Sequence, residues 1–150
     1  MKKIISMLAV FAAATVMGLA QNNKADNILG KYSAVQNGEG YKVEVTKKAD
    51  GTYKAQIFWL SEPNDPKTGK KKLDTKNPDK ALRNVPSDRV VLIDGLKYDS
   101  AKQQWGDTKI YDPQRGLRAN CTVRFENAKT LKVSGKVLGI GETATWTRID

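Results

Sequence analysis

Apolar and polar residues alternate along most of the chain. Tyr41-Lys42-Val43-Glu44-Val45-Thr46 alternates without a break, Asp50-Gly51 offers a hairpin turn, and residues 52–60 follow with Tyr53, Ala55, Ile57 and Trp59 on one face. Successive side chains of a strand point to opposite faces, so a period of two reads as a half-buried strand. Residues 117–126 are the clearest case: Leu117, Ala119, Cys121, Val123 and Phe125 share one face, and Arg118, Asn120, Thr122, Arg124 and Glu126 the other. The pattern predicts further strands over 28–35, 89–94, 108–111, 130–137 and 142–148. Leu131, Val133, Gly135 and Val137 point inward in one of these, and Ala144, Trp146 and Arg148 share a face in the last. Asp94-Gly95 closes one run. Asp112-Pro113-Gln114-Arg115-Gly116 reads as a tight turn in which proline fixes φ and glycine accepts a positive φ.

These segments make about eight or nine strands at hairpin spacing, with no amphipathic helical period, and predict an all-β, antiparallel chain. Such a chain must hide its sheet edges. Closing into a barrel does so, and two packed sheets are the alternative. An eight-stranded barrel is just wide enough to hold one small ligand or to fill itself with side chains. Residues 61–88 break the pattern: they are polar, punctuated by proline and too long for a hairpin turn. Long irregular segments in compact domains are functional or disordered.

The first twenty residues stand apart. Lys2 and Lys3 precede an almost wholly apolar run, and Gly18-Leu19-Ala20 has the small-x-small pattern of a signal-peptidase site. The expected organisation is a signal peptide over 1–20, cleaved near Ala20, and one domain over 21–150, exported to the periplasm or secreted. No later stretch is apolar enough to span a membrane. Losing two lysines and no acid lowers the formal net charge from +10 to +8, which favours anionic partners. Export and the lack of arginine runs interleaved with aromatics speak against nucleic acid. The chain has no histidine and one cysteine. It therefore lacks the commonest general base and the commonest metal ligand, and can form no internal disulfide. No metal or cofactor is expected, and no ordinary zinc site can be built.

Four ordered clusters carry a resemblance. They are Asp74-x-x-Asn77-Pro78 with Leu82-Arg83; Trp105 followed by Ile110-Tyr111-Asp112-Pro113-x-x-Gly116; Leu131-x-Val133-x-Gly135-x-x-x-Gly139; and Thr145-Trp146-Thr147-Arg148. Together they resemble the uncharacterised bacterial family called domain of unknown function 2147, and Gly30-Lys31-Tyr32 is similar to the Gly-x-Trp opening of lipocalin-type (calycin) barrels. The resemblance implies an exported, up-and-down lipocalin-like β-barrel with one long rim loop, and implies no reaction. It also implies structural roles for Gly30, Tyr32, Asp112, Pro113, Gly116, Gly135, Trp146 and Arg148, with Arg148 packed over Tyr32 at the barrel bottom. A tyrosine that the family usually carries near Ala119 is absent here.

The candidate ligand-binding residues are Arg83, Asn77, Asp74, Trp59, Trp105 and Tyr111. Arg83 presents a planar fork suited to a carboxylate or phosphate. Asp74 and Asn77 read either as part of a binding lid or as a self-capping turn, since Asx side chains bond nearby backbone N–H groups. Trp59, Trp105 and Tyr111 read as cavity wall or as ordinary core. Cys121 reads as a small core residue. No catalytic constellation is expected: Asp107 and Asp112 are close in sequence, but Asp112 before Pro113 is first a turn residue. The expected function is to bind a small apolar or anionic amphipathic ligand. The alternative is a protein-interaction or envelope-structural domain with a filled barrel. Nothing in the sequence sets the oligomeric state.

Overall fold

The structure, a computed structural model, describes residues 21–137 and 140–150. The expected targeting segment lies outside these residues, as do Gly139 and the Val137 side chain. Eight antiparallel strands close into a barrel in chain order: β1 (Gly30–Gln36), β2 (Glu39–Lys47), β3 (Tyr53–Leu60), β4 (Val91–Asp99), β5 (Gln104–Asp112), β6 (Leu117–Phe125), β7 (Thr130–Val137) and β8 (Ile140–Arg148). Each strand pairs with its sequence neighbours and β8 returns to β1. The architecture is therefore the barrel rather than the two-sheet alternative.

Several details differ from the alternation pattern, and bulges account for most of them. Ile28 belongs to a short 3-10 helix, Ala25–Ile28, ahead of β1. β4 continues through Gly95, which adopts φ 75° within the strand, and the β3–β4 register shifts beside it. β5 begins at Gln104 rather than at 108, because Asp107 sits at φ 60° and shifts the register between Trp105 and Thr108. In β3, Val43 faces Ile57 while Lys42 faces Trp59, so Phe58 is the extra residue. A bulge re-aims the side chains that follow it. Here it turns Trp59 out to solvent, 43% exposed, and brings Leu60 inward opposite Tyr41.

One end of the barrel is plugged. Residues 21–29 cross beneath it and give up their backbone groups to core side chains. Asn22 exchanges two bonds with the backbone of Phe125, at 2.9 and 2.8 Å. Trp105 Nε1 donates to the Ala25 carbonyl at 3.0 Å, and Tyr32 Oη to Ile28 at 2.7 Å. Arg148 Nη1 donates to Leu29 at 3.0 Å and Nη2 to Asn27 at 2.6 Å, with the guanidinium 5.2 Å from the Tyr32 ring centroid. The contact expected between Arg148 and Tyr32 is thus present, and it locks the N-terminal segment under the barrel.

On β6, β7, β8 and β1 the inward side chains shrink from the plugged end toward the other. Along β6 they run Phe125, Val123, Cys121, Ala119; along β7 Leu131, Val133, Gly135; along β8 Trp146, Ala144; and along β1 Tyr32, Ala34. Large aromatics fill the lower half. Glycine and alanine cannot fill the upper half, because a barrel of fixed strand number has a fixed width.

Candidate functional site

The upper half is hollow. Its cavity has a volume of about 1100 Å³ and an apolar wall that includes Ile57, Leu60, Leu92, Ile110, Val133 and Ala144. Gly135 is part of the same wall, and a Cβ there would lie 3.2 Å from Ala119 Cβ and 3.3 Å from Ile110 Cγ2. Tyr41 reaches in from β2. Its hydroxyl accepts a bond from Trp146 Nε1 at 3.0 Å, so the plugged layer fixes its position. Burial raises the Tyr41 hydroxyl above its ordinary pKa and keeps it protonated at neutral pH.

The long segment between β3 and β4 straps the mouth. Bridges Asn64↔Lys71 and Leu73↔Pro86 fold it back on itself. Asp74 N donates to Val85 O at 2.9 Å, and Ser87 N to Lys72 O at 2.8 Å. Three contacts tie this strap to the rim. Lys72 pairs with Glu39 at 3.5 Å, Lys76 Nζ donates to the Gln114 carbonyl at 2.7 Å, and Tyr111 Oη donates to Asp74 Oδ1 at 2.7 Å. Burial first, and the Asp74 hydrogen bond next, push the Tyr111 hydroxyl far above its ordinary pKa. Gly116, at φ 67°, lies so close to the Lys76 carbonyl that a side chain there would collide with it. Hairpin tips close more of the mouth: Asn37 Nδ2 donates to Gln114 Oε1 at 2.6 Å and Gln36 Nε2 to Asp112 Oδ2 at 3.3 Å. Arg115 bridges Asp112 and Glu142, at 2.7 and 2.5 Å.

Of the six candidate residues, Asp74 and Tyr111 border the cavity. The other four do not. Trp59 is outside the barrel for the reason given above. Trp105 is fully buried in the plugged end, tilted against Tyr98 and edge-on to Phe125 with ring centroids 5.1 and 6.0 Å apart. Asn77 is buried inside the strap, where its Nδ2 donates to Asp74 Oδ2 at 2.8 Å and its Oδ1 accepts from Asp79 N at 2.9 Å. Arg83, expected to be the anion fork, spends its Nε on the Asn77 carbonyl at 2.7 Å and lies off the cavity wall. The segment therefore has the self-capping geometry as well as a place over the mouth.

The candidate list lacked Tyr41 and the graded inward positions. The gradient is legible once the strands are aligned, because Ala119, Gly135 and Ala144 fall at the same level. Among the described residues, no group of three or more His, Cys, Asp or Glu side chains is placed to hold a metal ion. None of their helices is long and apolar enough to cross a membrane. The arrangement offers an apolar enclosure, one fixed hydroxyl inside it and a polar strap above. That geometry suits holding a molecule.

Comparison with known proteins agrees with this architecture. A sequence model of the family described as "Uncharacterized protein conserved in bacteria (DUF2147)" matches residues 30–148. A solved structure, described as "Protein HP1028 from the human pathogen Helicobacter pylori belongs to the lipocalin family", is similar to this chain at 25% identity and a TM-score of 0.63, covering 82% of this chain and 83% of that one. No curated protein matches.

Proposed function

The chain belongs to this uncharacterised bacterial family and folds as a lipocalin-like barrel, and from that premise we propose that it is a binding module for a small apolar or anionic amphipathic molecule. The carrying observation is the hollow upper half. A cavity of about 1100 Å³ is slightly larger than the usual range of small-molecule sites, roughly 300–1,000 Å³. Its deeper wall is apolar and its polar residues gather at the strap and the mouth, an apolar pocket with polar groups that fix orientation being the form such sites take. Burying the methylenes of an alkyl chain there would contribute about 0.8 kcal/mol each. A barrel that acted only through its outer surface would have no use for a layer of alanine and glycine at one level of its interior. The role is binding rather than turnover. Native mass spectrometry of protein purified from its own host should show a non-covalent adduct of small-molecule mass that organic solvent releases. A uniformly apo protein, which also takes up no amphiphile on titration, would overturn the reading.

Export belongs to the same proposal. The paired lysines, the apolar run and Gly18-Leu19-Ala20 support it. N-terminal sequencing of the native protein should begin at Gln21 or close by. An intact Met1 on membrane-bound material would contradict it.

A further inference from the structure

The barrel closes unevenly. β1 pairs with β2 along its whole length, and β8 with β7 from Thr130↔Thr147 to Val137↔Ile140. Between β1 and β8 the ladder holds two pairs, Tyr32↔Arg148 and Ser33↔Thr147, both at the plugged end. Toward the mouth, residues 34–36 of β1 run on with no ladder partner on the β8 side among the described residues. The β3–β4 ladder is also short, but there residues 89 and 90 continue beside β3, with Ile57 N donating to Val90 O and Arg89 Nη1 to Phe58 O, both at 2.9 Å.

An outer groove follows this open seam, lined by Ser33, Lys42, Trp59, Thr145 and Thr147. Val35, Tyr41, Thr143 and Ala144 line both the groove and the interior cavity. Along the seam these four residues alone stand between the groove and the hollow half, whereas the mouth is crossed by the strap and the hairpin tips.

The two openings differ in charge. The mouth carries both signs: Lys72 pairs with Glu39, Arg115 with Glu142 and Lys71 with Asp88, while Lys70 and Lys76 have no carboxylate within ion-pair distance among the described residues. The groove lining contains Lys42 and no carboxylate. Lys42 Nζ stands 4.6 Å from the Trp59 ring centroid and has no carboxylate within ion-pair distance among the described residues. Tyr41 stands at the junction. Its oxygen accepts from Trp146, and its own proton has no acceptor among the described residues. A neutral phenol supplies one donor in addition to its acceptor sites, so that donor is unspent.

We propose that the seam between β1 and β8 is the head-group site of a single-chain amphiphile, whose carboxylate accepts from the Tyr41 hydroxyl and faces Lys42 while its tail fills the cavity. This rests on the reading that the cavity holds an amphiphile, and names which end goes where. A carboxylate at the seam is half-solvated, so Lys42 gives it a favourable charge without a buried ion's desolvation cost. The hydroxyl of Tyr41 fixes its position, since Trp146 leaves it little freedom.

The test is a titration of dodecanoate and dodecanol into the full mature protein and three variants, followed by calorimetry. The seam assignment expects wild type to prefer dodecanoate. Lys42→Gln should weaken dodecanoate about three- to tenfold and leave dodecanol unchanged. Tyr41→Phe should weaken both about tenfold, because both ligands carry an acceptor oxygen. Lys70→Gln, at the mouth, should change neither. If Tyr41→Phe fails to fold, Lys42→Gln alone decides, since it alters an exposed groove. Dodecanoate binding that falls with Lys70→Gln and ignores Lys42→Gln would move the head to the mouth, overturning the seam site while leaving the binding role intact. Failure of wild type to bind either probe would remove both.

Discussion

Arg148 lies with its guanidinium 5.2 Å from the Tyr32 ring and 5.3 Å from that of Phe125, and donates to two carbonyls of the N-terminal segment. Arg148→Ala removes both ring contacts and leaves those carbonyls short of donors. The expected loss is about 2–4 kcal/mol, read as a lower urea midpoint. An unchanged midpoint would show that the plug is held by other contacts. The Tyr32 hydroxyl is pushed up to about 12 by burial, and the Cys121 thiol to about 12 for the same reason. Both groups hold their protons more tightly folded than unfolded. Their contribution is whole below the ordinary values of 10.0 and 9.0 and is lost as pH rises toward about 12. Urea midpoints should therefore fall between pH about 9 and about 12, with Cys121→Ala showing a shallower fall. At this scale the contact of Arg148 with Tyr32 was readable through the resemblance to lipocalin-type barrels. Arg148 meets Tyr32 because the last strand must close on the first. Arg83 gives its Nε to a carbonyl within its own loop, six residues away, and lies off the cavity wall, a placement that no pattern of charges reveals.

At the scale of elements, strands were legible from alternation and bulges were not. A bulge is one extra residue with an ordinary side chain, and it reverses the faces after it. Phe58 does this to Trp59 and Leu60, so the aromatic residue that alternation sends inward stands outside. The strap was legible as an anomaly, since its polarity and prolines contrast with the strands. Its anchoring was not, because Tyr111 and Asp74 are 37 residues apart. Asp74 is buried and receives bonds from Tyr111 and Asn77. Asp74→Ala leaves both donors unpaired and should cost about 1–3 kcal/mol. Limited proteolysis should then cut within residues 61–90 faster than in wild type, while the strands stay resistant. Equal rates would mean that the Lys72–Glu39 and Lys76–Gln114 contacts hold the strap alone.

The whole molecule is a barrel of two halves, one plugged by aromatics and one left hollow by small residues at a common level. Cavity or core was undecided from single strands because the decision is made across strands. Ala119 on β6, Gly135 on β7 and Ala144 on β8 matter only when the three strands are paired, with Gly135 opposite Cys121 and Ala144 opposite Val133. The central claim is that this hollow is the binding site. The most direct measurement is the affinity of dodecanoate for wild type and for an Ala119→Phe, Ala144→Leu variant, by calorimetry, with thermal unfolding of each alongside. Filling a cavity with apolar side chains removes its ligand volume without exposing apolar surface. The account predicts one molecule bound per wild-type chain, and at least a hundredfold weaker binding by a variant that still unfolds cooperatively, since about 3 kcal/mol of tail burial is lost. A folded variant that binds dodecanoate as tightly as wild type would contradict it.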